Sequence, residues 1–255
     1  MKTDQIGLNL FSVRDYCQNE KDLGDTIQKL SAIGYRNVQV SAVGDIPVAT
    51  IKKICADNNM NICATHESGK TIIESPQKVV VRLQDLDCGY TAYPYPHVKL
   101  ENKDDALKLA DQLARSGEIL YHAGITLCYH NHDIELQRAE DKTLLDIILQ
   151  NSPSFLQAEP DVFWLEAAGQ SAAKWMKKLQ GRMPLIHLKD LDYDNSGKPQ
   201  FKELGKGKLD FDRIVTEATM AGCEYFLIEQ DSNWQDNDPM LSAKISFDYL
   251  TTLLK

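Results

Sequence analysis

Apolar residues gather into eight short runs along the chain: IGLNLFS (6–12), NVQVSA (37–42), NICATHE (61–67), CGYTAYPY (88–95), GITLCYHNH (124–132), FLQAEPD (155–161), PLIHLKD (184–190) and YFLIEQD (225–231). Runs of this length bounded by polar residues read as buried strands. Between them the apolar positions recur every three or four residues. In LGDTIQKLSAIG, Leu23, Ile27, Leu30 and Ile33 share one face of a helix, and Gly34 follows where a C-terminal cap belongs. Gly181 and Gly222 close later segments in the same way, and the last helical stretch runs over 239–255. Eight strand–helix units spaced about 30 residues apart predict an α/β fold, a (β/α)8 TIM barrel, with residues 1–255 as one domain. The competing arrangement is an open, doubly wound sheet. It is disfavoured because the first strand runs on into LFSVRDYCQNE, without the GxGxxG turn that such sheets use for dinucleotides.

A barrel of this kind carries its chemistry at the C-terminal ends of its strands. Ionisable residues recur at those ends: His66 and Glu67 on the third strand, His130 and His132 on the fifth, and Glu159 and Asp161 on the sixth. His187, Lys189 and Asp190 close the seventh, and Glu229 and Asp231 the eighth. His130 and His132 lie two residues apart and so face one side of a strand, with Cys128 a layer deeper. One group from each of strands five to eight makes a four-sided ring of His130 or His132, Asp161, His187 and Glu229. Singly, each is an ordinary polar strand end. Together, at equivalent ends of consecutive strands, they predict one divalent metal ion. Mixed imidazole and carboxylate ligands suit a borderline ion such as zinc, manganese or cobalt. Four protein ligands leave open positions for two oxygens of a substrate.

The formal charge of −9 argues against a surface built for nucleic acid. No apolar run approaches the roughly 20 residues of a membrane span, and the first residues show no signal-peptide pattern. The six cysteines are scattered without a CxxC pair, as expected of buried thiols in a reducing compartment, so a cytoplasmic location is expected. Only Arg14, Arg36 and Arg82 occur among the first 100 residues, and no glycine-rich phosphate cradle is visible, so a phosphorylated substrate is not supported.

The segments YHNHDIEL, EPDVFWLEAAG, IHLKD, LGKGKLDFDRI and FLIEQD, in this order, resemble the sugar phosphate isomerase/epimerase group of the xylose-isomerase-like TIM barrels. That group includes inosose dehydratases, inosose isomerases and ketose 3-epimerases. The resemblance implies one divalent metal held by Glu, Asp, His and Glu from strands five to eight. Asp161, His187 and Glu229 match the last three. His130 stands where many relatives carry the first glutamate, and Lys206 where they often carry another. Zinc, manganese, cobalt and magnesium are not distinguished, with zinc or manganese favoured. In the ketose 3-epimerases two metal-bound glutamates exchange a proton across the substrate. An imidazole that ligates a metal has no lone pair left for that work. The substitution therefore leaves Glu229 as base, with His66, His132 or Lys189 opposite it, and Lys189 also placed to stabilise an oxyanion. Asn9, Arg14, Gln39 and Tyr93 are read as substrate contacts, and Trp164 as a face for a sugar ring.

The expected activity is that of a divalent-metal-dependent sugar or cyclitol isomerase/epimerase working through a metal-stabilised enediolate. A lyase or dehydratase acting on a keto-sugar, keto-glycoside or inosose shares the same first step. A non-catalytic sugar-binding barrel is the alternative of another class. A DNA-repair endonuclease of the same fold needs more ligands and a basic face. The expected partner is a small sugar or cyclitol, with no nucleic acid and no membrane, and a homo-oligomer is left open.

Overall fold

The structure is a computed structural model that describes residues 1–152 and 155–254; Lys255, the end of the last predicted helical stretch, lies outside the described residues. Its eight long-sheet strands are β1 (Ile6–Asn9), β2 (Asn37–Val40), β3 (Asn61–His66), β4 (Tyr90–Tyr93), β5 (Thr126–His130), β6 (Gln157–Glu159), β7 (Leu185–Leu188) and β8 (Tyr225–Ile228). All pair in parallel, in the order β6-β5-β4-β3-β2-β1-β8-β7. The seam between β6 and β7 is narrowed by a bridge between Asp161 and His187, where the His187 N–H donates to the Pro160 carbonyl at 2.9 Å. The result is a nearly closed (β/α)8 barrel.

Each strand lies inside the run predicted for it but ends sooner, and the reasons are local. At the end of β1, the Asn9 side chain accepts from the Phe11 N–H and starts a 3-10 turn over Leu10–Tyr16. After β6, Pro160 has no N–H to continue a ladder. Asp161 then caps the helix Val162–Ala167, its Oδ1 accepting from the N–H groups of Phe163 and Trp164. Beyond β7 the chain turns at Lys189 into a hairpin of Asp190–Tyr193 and Pro199–Lys202. Early strand termination thus releases polar side chains at the barrel mouth.

Two apolar layers hold the frame. Within the barrel, Cys63, Ala64, Ala92, Cys128, Leu185 and Leu227 form a compact plug of mostly small side chains. Gly7 belongs to this layer, because a Cβ there would lie 2.7 Å from the Leu227 side chain. Between sheet and helices lies the larger core. The helix Glu20–Ile33 shows how it forms: Leu23, Ile27 and Leu30 are fully buried and Asn19 caps its start. Gly34 ends the helix at φ +127°, its N–H donating to Leu30 O. All six cysteines are buried and free. Burial pushes the Cys17 and Cys55 thiols up to about 12, which leaves them poor nucleophiles. Among the described residues no helix is long and apolar enough to cross a membrane.

Candidate active site at the strand ends

Above the apolar plug the inward positions turn polar and stay buried. His130, Glu159, Asp161, His187 and Lys189 are each at most 2% exposed, and Glu229 is 4% exposed. His130, Asp161, His187 and Glu229 each offer one ligand atom within 4.8 Å of the others. His66, His130, Glu159 and His187 make a second group of the same kind, sharing two imidazoles with the first. A cavity of about 430 Å³ opens onto both, lined among others by His66, His130, His132, Lys189, Glu229 and Asp231.

Hydrogen bonds fix these side chains from behind. The Glu229 carboxylate accepts from Asn9 Nδ2 at 3.0 Å and lies 2.8 Å from His187 Nδ1. The other ring nitrogen of His187 is 2.7 Å from Gln39 Oε1, while Gln39 Nε2 donates to Glu159 Oε1 at 2.7 Å. His66 Nε2 meets the second Glu159 oxygen at 2.7 Å. Both nitrogens of His187 are thus engaged, so a metal ion there would take the place of one of these partners. Among the buried atoms here without a hydrogen-bond partner are His130 Nδ1, His132 Nδ1, Asp231 Oδ1 and Asp161 Oδ2. The last faces Lys189 Nζ at 3.1 Å as an ion pair. An unsatisfied buried polar atom is costly, so the unpartnered His130 ring, its Nε2 4.0 Å from Asp161 Oδ2, suits a metal ion.

Lys189 anchors the charge balance. Its ammonium stands 2.8 Å from Glu229 Oε2, 3.1 Å from Asp161 Oδ2 and 3.1 Å from Asp231 Oδ2. Burial works against that charge, but the three carboxylates outweigh it and hold the ammonium well above its usual range. For Glu229 the balance runs the other way: burial raises it, yet Lys189 and His187 bring it well below the usual carboxylate range. Burial likewise opposes a charge on His187, which the Glu159 and Glu229 carboxylates push up to about 10. Burial lowers His130 and brings His132 down to about 3, so both rings are neutral and keep a lone pair. The four carboxylates are therefore answered by an ammonium and by a proton on His187, a place where a divalent ion can substitute for the proton.

The sequence pattern of the xylose isomerase-like TIM barrel family matches residues 27–252. The chain belongs to this family. No curated protein matches it in sequence. Among solved structures it is similar to a sugar phosphate isomerase/epimerase from Parabacteroides distasonis, at 22% identity and a TM-score of 0.86, over 100% of this chain and 96% of that one. It is also similar to an L-ribulose 3-epimerase, at 18% identity and a TM-score of 0.75, over 98% and 94% of the two chains. A probable 3-DHS dehydratase from Bacillus anthracis aligns at 11% identity and a TM-score of 0.71, over 97% and 98%. At these identities the likeness is one of fold. The xylose isomerase-like fold thus hosts isomerases, epimerases and a dehydratase.

Within this member of the family, the residues singled out from the sequence fall into distinct places. Of the two strand-5 histidines, His130 enters the four-residue cluster. His132 lines the cavity instead, its ring against Tyr95 and Trp164. Asn9 and Gln39 are fully buried and spent on Glu229, His187 and Glu159, behind the cavity rather than on its wall. Tyr93 is also fully buried, its hydroxyl 2.9 Å from His97 Nδ1; its neighbours Pro94 and Tyr95 line the cavity. The Arg14 guanidinium donates to the carbonyls of Phe11 and Asp231 and stacks on Phe11. Trp164 packs on Phe201 and His132 with Lys189 Nζ 5.9 Å from its ring. Lys206 and its GKGKLD segment sit on Asp190, whose carboxylate accepts from the N–H groups of Gly205, Gly207 and Leu209. Those N–H groups are consumed inside the protein and offer no phosphate cradle.

Sequence reasoning placed Glu159 and Asp231 at strand ends without giving them a part in the ring. The signal was present: Glu159 and Asp161, like Glu229 and Asp231, are spaced i and i+2, so both members of each pair face inward.

Proposed function

We propose that the chain is a divalent-metal-dependent isomerase or epimerase of a sugar or cyclitol, with one ion held by His130, Asp161, His187 and Glu229. The observation that supports this best is the convergence of those four buried ligand atoms at the base of a cavity large enough for a monosaccharide. The unpartnered His130 Nδ1 points the same way. When bound, such an ion supplies a Lewis acid that acidifies the C–H next to a substrate carbonyl. Zinc and manganese fit the mixed donor set best.

The remaining chemistry belongs to the protein. Glu229 is the base: Asn9 fixes the plane of its carboxylate, and its place on the cavity wall brings it to the substrate C–H. Lys189, also on the wall, donates toward the oxygen that gains charge as the proton leaves. His66 and His132 line the same cavity and are the groups that return or remove a proton on the other side. Trp164 and Tyr95 flank His132 at the rim, where aromatic faces suit a sugar ring. Elimination from a keto-sugar, keto-glycoside or inosose begins with the same abstraction, and the loss of the strand-5 glutamate favours it as the second reading. With Glu229 as the one ligand carboxylate on the cavity wall, abstraction followed by departure of a leaving group needs no second carboxylate.

The test is to incubate zinc- or manganese-loaded protein in D2O with D-fructose, L-ribulose, scyllo-inosose and a 3-keto-glycoside. Deuterium entering the carbon next to the carbonyl is the expected result, and the products distinguish an isomer from an elimination. Absence of exchange with every compound, in protein shown to hold the ion, would overturn the enzyme reading in favour of a sugar-binding barrel.

A further inference from the structure

We infer that Glu159 is a positioning residue that fixes His66 as the second proton-handling group of the site. This inference rests on the reaction class proposed above and assigns the place opposite Glu229. In register with His130 on the next strand stands Glu159.

At 0% exposure Glu159 does not meet substrate and acts only through its neighbours. Both of its oxygens are engaged, one by Gln39 and the other by His66. His187 Nε2 lies 2.7 Å from Gln39 Oε1 and 3.4 Å from Glu159 Oε1. Gln39 Nε2 donates to Glu159 Oε1 at 2.7 Å. Glu159 is an acceptor only, and its Oε2 lies 2.7 Å from His66 Nε2. That bond requires the proton on His66 Nε2 and leaves the lone pair on Nδ1. The ring is clamped as well, stacked on His187 at 5.3 Å and tilted against His130 at 5.1 Å. His66 lines the cavity together with Lys189 and Glu229. A buried carboxylate that selects the tautomer of a cavity-lining imidazole is the arrangement that makes histidine an effective acid–base group. His132 lacks this support: its Nδ1 is buried without a partner.

The competing role for these groups is metal ligation, since His66 and Glu159 also belong to the second four-residue group. Three measurements separate the two. Long-range proton–nitrogen NMR on the zinc-loaded wild-type protein should show His66 as the Nε2–H tautomer with no zinc on either nitrogen. In Glu159→Gln, whose amide also offers a donor, the ring should lose its fixed tautomer, while zinc stoichiometry and affinity by calorimetry change less than three-fold. In the D2O assay the same variant and His66→Ala should lose about 100-fold or more in kcat with little change in KM, and free imidazole should restore part of the His66→Ala loss. An Nδ1–H tautomer in the wild type, loss of zinc from Glu159→Gln, or full exchange activity in His66→Ala would each overturn the assignment. The tautomer and zinc measurements need no substrate. A wild-type protein that shows the Nε2–H tautomer but exchanges no deuterium would refute the reaction class and, with it, the proton-handling role, while leaving the Glu159–His66 geometry standing.

Discussion

Replacing Lys189 by methionine tests the charge balance of the site directly. The ammonium is buried at 1% exposure and touches three carboxylates at 2.8–3.1 Å. Methionine fills much the same volume but leaves Asp161, Glu229 and Asp231 facing one another without a counter-charge. Removing one partner of a buried ion pair costs about 3–5 kcal/mol. Three carboxylates would raise that figure, but burial already brings Asp231 up to about 6, so it takes up a proton readily and limits the cost. For a chain of this size, about 2–4 °C per kcal/mol converts the loss to a melting temperature lower by roughly 6–20 °C in EDTA. A divalent ion at the proposed ligands would replace the lost charge, and in the wild type it would compete with Lys189 for Asp161 and Glu229. The variant should therefore gain more from zinc or manganese than the wild type. At one hundred times the dissociation constant, ion binding alone adds about 2.7 kcal/mol. Thermal and urea melts of both proteins, with EDTA and across an ion titration, measure every quantity. If Lys189→Met is as stable as wild type in EDTA, the three ion pairs do not carry the stability assigned to them. If both proteins gain equally from the ion, it does not share those oxygens with Lys189.

Glu229→Gln should lower deuterium exchange by about 100- to 10,000-fold and weaken ion binding, since it removes both the base and a ligand; calorimetry and the D2O assay check the two effects separately. Glu135 is fully buried between the Tyr129 hydroxyl and the His132 N–H, and burial raises its carboxyl from 4.5 to about 7. In that window the folded protein binds more protons than the unfolded chain. This group's contribution therefore makes stability fall as pH rises from about 4.5 to 7, by at most about 3 kcal/mol, and Glu135→Gln should flatten the slope in urea melts. Asp190→Ala removes the acceptor for Gly205, Gly207 and Leu209 and should cost about 2–4 kcal/mol in denaturant melts, with faster amide exchange confined to 203–210. Gly207→Ala should be similarly damaging, because its Cβ would lie 2.5 Å from the Leu191 carbonyl.

The barrel was legible because its signal is periodic and repeated. Eight apolar runs and the glycine caps between them each carry the same message, and losing a residue or two from either end of a strand does not alter it. The strand-end ring was legible for a related reason: parallel strands of one barrel put their final inward residues at one level. Depth was not legible. Asn9, Gln39 and Tyr93 sit at strand ends and face the mouth in sequence terms, yet each is buried beneath the residue it supports. Whether a polar side chain touches a ligand or braces the group that does so depends on neighbours from other strands: Gln39 meets His187 across 148 positions and Glu159 across 120. Arg14 shows the same limit, since nothing local reveals that its N–H groups go to Phe11 and Asp231 carbonyls.

Charge also bears on the substrate. Glu159, Asp161, Glu229 and Asp231 crowd the mouth of the barrel, and Lys189 is the cation on the cavity wall. Adding one dication in place of the His187 proton brings the local sum only to about −1 when all four carboxylates are ionised. A phosphate needs the opposite: a surplus of positive charge or a row of free N–H groups. The Arg14 fork and the 205–209 N–H groups do not serve, because they donate to two carbonyls and to Asp190. A neutral polyol with a carbonyl fits this balance, its hydroxyls donating to carboxylates that have acceptor capacity left. The balance therefore favours a free sugar or cyclitol over the phosphate named in the Parabacteroides distasonis relative's description. A sugar phosphate should bind this site more weakly than the same sugar unphosphorylated, and more weakly still as salt is lowered and repulsion is less screened. Tighter binding of the phosphorylated form, by calorimetry at low salt, would show that a cation absent from this balance reaches the cavity.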